Sequence, residues 1–248
     1  MNPLEAELAR RGIAFTLTED GRYEIAHEGG TLLLSPDNVL RDIARDGDPA
    51  RIETFLDASL AVSAPLPPWS EARSGIRWSA EPAEGELGDT LHEPVSDTVI
   101  RVLVYAAEDE GRITWLTPRQ LERWGIDLAT LRAAADAGLD SLLRDISLNV
   151  ESGNGRKLGM IPTHSALKAS TIFAPSFKAF VSKELGWPVL AVIPCRDFVY
   201  VLREKDDAML GAIGEVVQRE FRTSGYPITT EVFRISDSGV EAIGRFPE

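Results

Sequence analysis

A single cysteine, Cys195, stands in a chain of 248 residues, so no disulfide can close within it, and a reducing, cytoplasmic setting is expected. Histidine is almost as scarce. His27, His92 and His164 lie far apart, and neither Cys-x-x-Cys nor His-x-x-x-His spacing occurs, which leaves no zinc site of the usual pattern. No apolar run reaches the roughly 18 residues of a membrane-spanning helix. The start, Met1-Asn2-Pro3-Leu4-Glu5-Ala6-Glu7, lacks the basic flank and apolar stretch of a secretory signal. Positive charge is also in short supply, with 26 Lys and Arg against 39 Asp and Glu, a net of −13. The deficit is concentrated in residues 1–97, where 19 acidic side chains face 8 basic ones; the remaining 151 residues carry 20 and 18. Such a balance repels phosphate backbones and anionic bilayers, so neither nucleic acid nor membrane is an expected partner.

What is present is ordinary for a globular protein: 44% hydrophobic and 26% charged residues, enough to bury one large core or two small ones. Residues 1–63 read as an N-terminal lobe in the order helix, three strands, two helices. A short helix carrying Leu4 and Leu8 ends near Gly12, and strands 13–18 and 22–26 flank the tight-turn pair Asp20-Gly21. Gly29-Gly30 leads to a third strand at 31–34. Ser35-Pro36-Asp37 and Asp48-Pro49 open helices, the second with Ile52, Phe55, Leu56 and Leu60 on one face. Residues 64–97, with Pro65, Pro67, Pro68, Pro82 and Pro94, break every period and read as a linker or wrapping segment holding one strand near 76–79.

Residues 98–248 form the most regular part. The stretch 98–106 is apolar apart from Arg101, as expected of a strand covered on both faces. After Glu108-Asp109-Glu110-Gly111 and a strand at 113–116, Thr117-Pro118 starts one helix and Asp127 caps a longer one striped with Leu128, Leu131, Ala135 and Leu142. Three helix-plus-hairpin units then appear to the eye of periodicity, with strand pairs at 147–150 and 157–161, 189–193 and 198–202, and 230–235 and 240–243. Hairpins imply antiparallel pairing. The predicted class is therefore α+β: antiparallel sheets with helices packed on one face, built from successive helix-plus-hairpin units. Pro175 falls inside the helical pattern 167–185 and should split it.

Several of these features together resemble the YtpQ-like family of uncharacterised bacterial proteins. They are the strand Arg101-Val102-Leu103-Val104-Tyr105-Ala106, Leu121 and Trp124 before a helix with Leu131 and Ala135, and Ala169-Ser170 in the next helix. Pro194 with Arg196-Asp197 between two apolar strands follows, and Tyr226-Pro227-Ile228-Thr229 precedes the last hairpin. The resemblance covers about three-fifths of the chain. Gly138 stands where the family tends to have asparagine, and Lys168 where it tends to have aspartate, so a site formed by those side chains in relatives is altered here. The resemblance implies no known activity, substrate or cofactor. The order of elements in the first lobe resembles that of bacterial secretion-chaperone folds, an analogy of architecture only.

Candidate chemistry is sparse. Glu108-Asp109-Glu110 and Asp206-Asp207 read as a solvated turn and a helix start rather than a metal site. Gly153-Asn154-Gly155-Arg156-Lys157 carries glycines and cations, but it lacks Walker spacing and has no helix after it, which makes it a hairpin turn. No Gly-x-Ser-x-Gly elbow occurs. Cys195 beside Arg196, with His164 as base and Asp197 as orienting acid, is the one nucleophile arrangement to weigh; the plainer expectation is an incidental cysteine. Arg196 and Asp197 in the turn, with Ser170 and Cys195, are the candidate ligand- or partner-binding residues. The plainer alternative has Asp197 bracing the turn and Arg196 paired with a neighbour. No catalytic residue, metal or cofactor is assigned. The expected function is a non-catalytic, adaptor- or chaperone-like protein that binds another protein or its own copy. The alternative is a small-ligand binder or hydrolase at the 194–197 turn.

Overall fold

The computed structural model describes residues 2–18, 21–27, 30–61, 66–84, 88–107, 113–153 and 155–247. The expected turn residues Asp20, Gly29, 108–111 and Asn154 lie outside these. The class is α+β, and every ladder among the described strands is antiparallel. Among the described residues no helix is long and apolar enough to cross a membrane. The chain divides into two compact units, Met1–Leu66 with Thr223–Tyr226, and Pro67–Arg222 with Pro227–Glu248.

The first unit has the order read from the sequence. Helix α1 (Pro3–Arg10) starts behind Asn2, whose side chain accepts the Leu4 N–H at 2.9 Å while Glu5 accepts the Asn2 N–H at 3.3 Å, a reciprocal cap that satisfies two orphan donors. Strands β1 (Phe15–Leu17), β2 (Tyr23–His27) and β3 (Gly30–Leu34) form a sheet in that order. Helices α2 (Asp37–Asp46) and α3 (Arg51–Ala61) follow. Leu4, Leu8, Val39, Ile52 and Leu56 from the helices meet Tyr23, Ile25 and Leu34 in one buried cluster. Each fully buried aliphatic side chain there stabilises the unit by about 1.5–3 kcal/mol. The 223–226 segment belongs to this unit because Asp42 accepts the Gly225 N–H at 2.9 Å and Arg41 donates to the Ser224 carbonyl at 3.3 Å.

The second unit begins where the sequence suggested a linker. Helix α4 (Trp69–Ala72), a 3₁₀ turn (Arg73–Gly75) and strand β4 (Ile76–Pro82) occupy this stretch, followed by β5 (His92–Pro94). Strand β4 is longer than the expected 76–79 and pairs with β6 (Val99–Ala106) through seven residues, from Ile76↔Tyr105 to Pro82↔Val99. Prolines blurred its period because they stand at its end, where a missing N–H costs no ladder bond. On the other side of β6 lie β5 and, further along, β7 (Ile113–Trp115).

Helices α5 (Pro118–Trp124) and α6 (Leu128–Leu143) come next, α6 capped by Asp127 accepting the Thr130 N–H at 2.7 Å. Helix α6 packs closely on β4. A Cβ on Gly138 would stand 2.1 Å from the Ile76 carbonyl oxygen, so the contact admits no side chain at this position.

Strands β8 (Asn149–Gly153) and β9 (Arg156–Met160) precede a 3₁₀ segment (Lys168–Phe173) and α7 (Phe177–Leu185), split at Pro175 as its missing N–H requires. Strands β10 (Val189–Cys195) and β11 (Phe198–Arg203), helix α8 (Asp207–Thr223), and β12 (Glu231–Ser236) with β13 (Gly239–Arg245) complete the chain. The six strands form one sheet in the order β13-β12-β10-β11-β9-β8. Ile213 and Val217 of α8 pack on Leu190, Val192, Tyr200, Leu202 and Val232. Strand β10 is buried along all seven residues, because its other side meets the 3₁₀ segment; helical structure therefore covers both faces at the sheet centre rather than one.

Candidate functional site

The β10–β11 connection is a two-residue turn. Cys195 and Phe198 pair across it, so Arg196 and Asp197 occupy its tip, and Pro194 sits at an irregularity in the ladder between Val192 and Cys195. The turn is tied down by the segment that leads into β12. Pro194 accepts the Ile228 N–H at 2.9 Å, and Cys195 bridges to Pro227.

Arg196 reaches Glu81, 115 residues earlier in the chain. Its Nη2 donates to both carboxylate oxygens, at 2.8 and 3.1 Å, and Glu81 is nearly buried near the end of β4. Ser79 donates to the same carboxylate at 2.6 Å. Ser170 is buried and accepts the Ala80 N–H of the same strand at 2.8 Å. Three of the candidate residues thus come together at one place, where the 194–197 turn and the 3₁₀ segment meet β4. Glu81 and Ser79 also belong to that cluster; the strand expected at 76–79 reached Ser79 but stopped short of Glu81, which carried no signal of its own. Lys168, half-buried at the head of the 3₁₀ segment, has its pKa pushed down by desolvation, with Asp197 and Cys195 acting in the opposite sense.

The contacts of Glu81 brace β4 against the turn. A carboxylate taken out of water needs its cation and its hydrogen bonds, and Glu81 has both. Cys195 has no exposed surface, whereas His164 is exposed, so the cysteine–histidine pairing weighed above has no accessible thiol. Arg196 pairs with a neighbour, as the plainer expectation had it. Among the described residues no group of three or more His, Cys, Asp or Glu side chains is placed to hold a metal ion.

A groove of about 500 Å³ lies elsewhere in the second unit, lined in part by Arg101, Phe173, Lys178, Trp187 and Asp237. Its cations already have partners. Arg101 pairs with Glu93 and stacks on Trp78 at 4.3 Å; Lys178 donates to Asp237 at 2.7 Å, and Trp187 Nε1 donates to the same carboxylate at 3.0 Å. Neither Ser170 nor Arg196 lines it.

The first unit offers a surface of a different kind. Phe15 and Leu17 stand opposite Ile25 and Tyr23 in the β1–β2 ladder and therefore share their face of the sheet. Ile25 and Tyr23 are 1% and 3% exposed under the helices, yet Phe15 and Leu17 are 37% and 55% exposed. The helices stop short of β1, leaving the apolar face of the sheet uncovered at that edge. Alternation in the sequence showed a strand here; only the packing shows that its inward side chains meet water. No family model matches the chain, nor does any curated protein or any solved structure.

Proposed function

We propose that the protein is a non-catalytic interaction protein, adaptor- or chaperone-like, whose working surface is the outer edge of β1. The observation that carries this reading is the exposure of Phe15 and Leu17 on a face that is otherwise core. Large apolar side chains beside an open strand edge are what strand addition uses: main-chain hydrogen bonds supply affinity, and the alternate side chains supply selectivity. A second line of support is that Arg196 and Cys195 at the turn and Ser170 in the 3₁₀ segment are committed to contacts within their unit. A small-ligand site or thiol hydrolase at that turn has correspondingly little to work with.

The test is a pull-down with purified wild-type protein and the Leu17→Lys variant, beside an acidic control protein of similar size. A protein retained by wild type and lost by Leu17→Lys is the expected result. Identical recovery by both, in a chain whose mass stays monomeric, contradicts the reading.

A further inference from the structure

We infer that a groove in the second unit, between the β5–β6 turn and β13, binds a guanidinium group, with Glu231 as its anchor. The inference is independent of β1 and goes beyond the proposed function. Four acidic side chains are buried among the described residues: Glu7, Asp42, Glu81 and Glu231. Arginine pairs with three of them, Arg10 and Arg11 with Glu7, Arg45 with Asp42, and Arg196 with Glu81. Glu231, only 5% exposed, makes no ion pair among the described residues. Its Oε2 accepts the Ser96 hydroxyl at 2.5 Å, and that hydroxyl accepts the Val99 N–H at 3.0 Å. The pair repeats Glu81 and Ser79, where the hydroxyl donates at 2.6 Å and the Arg196 guanidinium meets both carboxylate oxygens. Glu231 with Ser96 is that constellation without its guanidinium. A carboxylate so far out of water is costly until a cation meets it.

The other side of the carboxylate opens on a groove of about 440 Å³. Oε1 has no hydrogen-bond partner among the described residues, yet it is not sealed from solvent, so it faces this space. Asp97 and Glu241 line the groove as well, against one base, Arg245. Among the described residues these acids are not grouped as metal ligands, so the cation that fits is an organic one. Arg245 is the rival within the chain. It stands opposite Glu231 in the β12–β13 ladder, but its side chain is exposed and pairs with no acid among the described residues. A planar guanidinium suits the remaining space at Glu231 better than a compact ammonium, because it can meet both oxygens beside a serine hydroxyl, as Arg196 does at Glu81. The chain's net charge of −13 draws cations to its surface. A free guanidino compound and an arginine side chain in a peptide present the same group.

Calorimetric titration of the full chain decides the matter, with ethylguanidinium, free arginine, an end-blocked arginine peptide, and citrulline as the neutral isostere. Wild type should bind at least one guanidinium compound at millimolar strength or tighter, and citrulline at least about tenfold more weakly. Whether the free compound or the peptide binds tighter tells which source the groove takes, and either supports the inference. Glu231→Gln should lose at least about tenfold in affinity. Glu215→Gln, at an exposed position of α8, should change nothing, and Arg245→Ala should bind at least as tightly as wild type. Thermal midpoints supply a second readout. Without ligand Glu231→Gln should match or exceed wild type, since the uncompensated charge is gone; ethylguanidinium should raise the wild-type midpoint and leave that of Glu231→Gln unmoved. No binding by wild type, equal binding of citrulline, or affinity unchanged in Glu231→Gln overturns the inference. So do midpoints lowered alike by Glu231→Gln and Arg245→Ala, which would make Arg245 the cation of Glu231. None of these results bears on β1, whose own test is the pull-down.

Discussion

Glu81 and Arg196 show how much a single residue's role depends on a distant one. Removing the guanidinium leaves a carboxylate nearly out of water beside Ser79, so Arg196→Ala should destabilise the protein by about 3 kcal/mol, read from the denaturant midpoint. Replacing both members with methionine should restore most of that loss, because the desolvation cost disappears with the charge. Cys195 is the complementary case. With no exposed surface its thiol should alkylate at least about 100-fold more slowly than free cysteine in native protein, and at the free rate once unfolded. A native rate equal to that of free cysteine would reopen the thiol reading. Glu7 gives the pH dependence. Hydrogen bonds from Arg10 and Arg11 hold its carboxyl down at about 2 against an ordinary 4.5. Because folding lowers this pKa, its contribution to stability is complete above 4.5 and is lost as pH falls towards 2. Carboxyl NMR titration should place the midpoint near 2, and Arg11→Ala should move it upward.

Among the elements, the closest fit is that of α6 on β4. Gly138→Ala would force a methyl group into the Ile76 carbonyl and the Arg77 side chain, and should cost about 3 kcal/mol, measured as a lowered thermal midpoint. The same change at Gly211, where a Cβ meets nothing within 4 Å, should have no such cost and should gain slightly from helix propensity. Elements whose evidence is local were legible in the sequence. The hairpin pairs showed through alternation and turn chemistry, and the break at Pro175 followed from its missing N–H. Strand β4 was read only as 76–79 because its neighbours in sequence are prolines and acids, while its partner β6 lies beyond β5. The 194–197 turn was legible as a turn, but the Glu81 that meets it was not, since nothing in a linear pattern ties positions 115 apart.

At the scale of the whole molecule, two units with separate cores place their polar chemistry differently. The second unit turns Arg196, Ser170 and Cys195 into internal braces, and the first leaves the apolar face of β1 in water. Composition foretold the acidity of the first unit; it held no sign that one strand's inward face outruns its helices. Amide hydrogen exchange across β1 tests the central claim most directly. In dilute protein the Thr16 and Thr18 amides should be protected by β2, while those of Phe15 and Leu17 exchange near the unprotected rate. Adding a protein that wild type retains and Leu17→Lys loses should slow Phe15 and Leu17 selectively. Protection of Phe15 and Leu17 before that protein is added would show that the edge is closed within the chain itself, and would contradict the account.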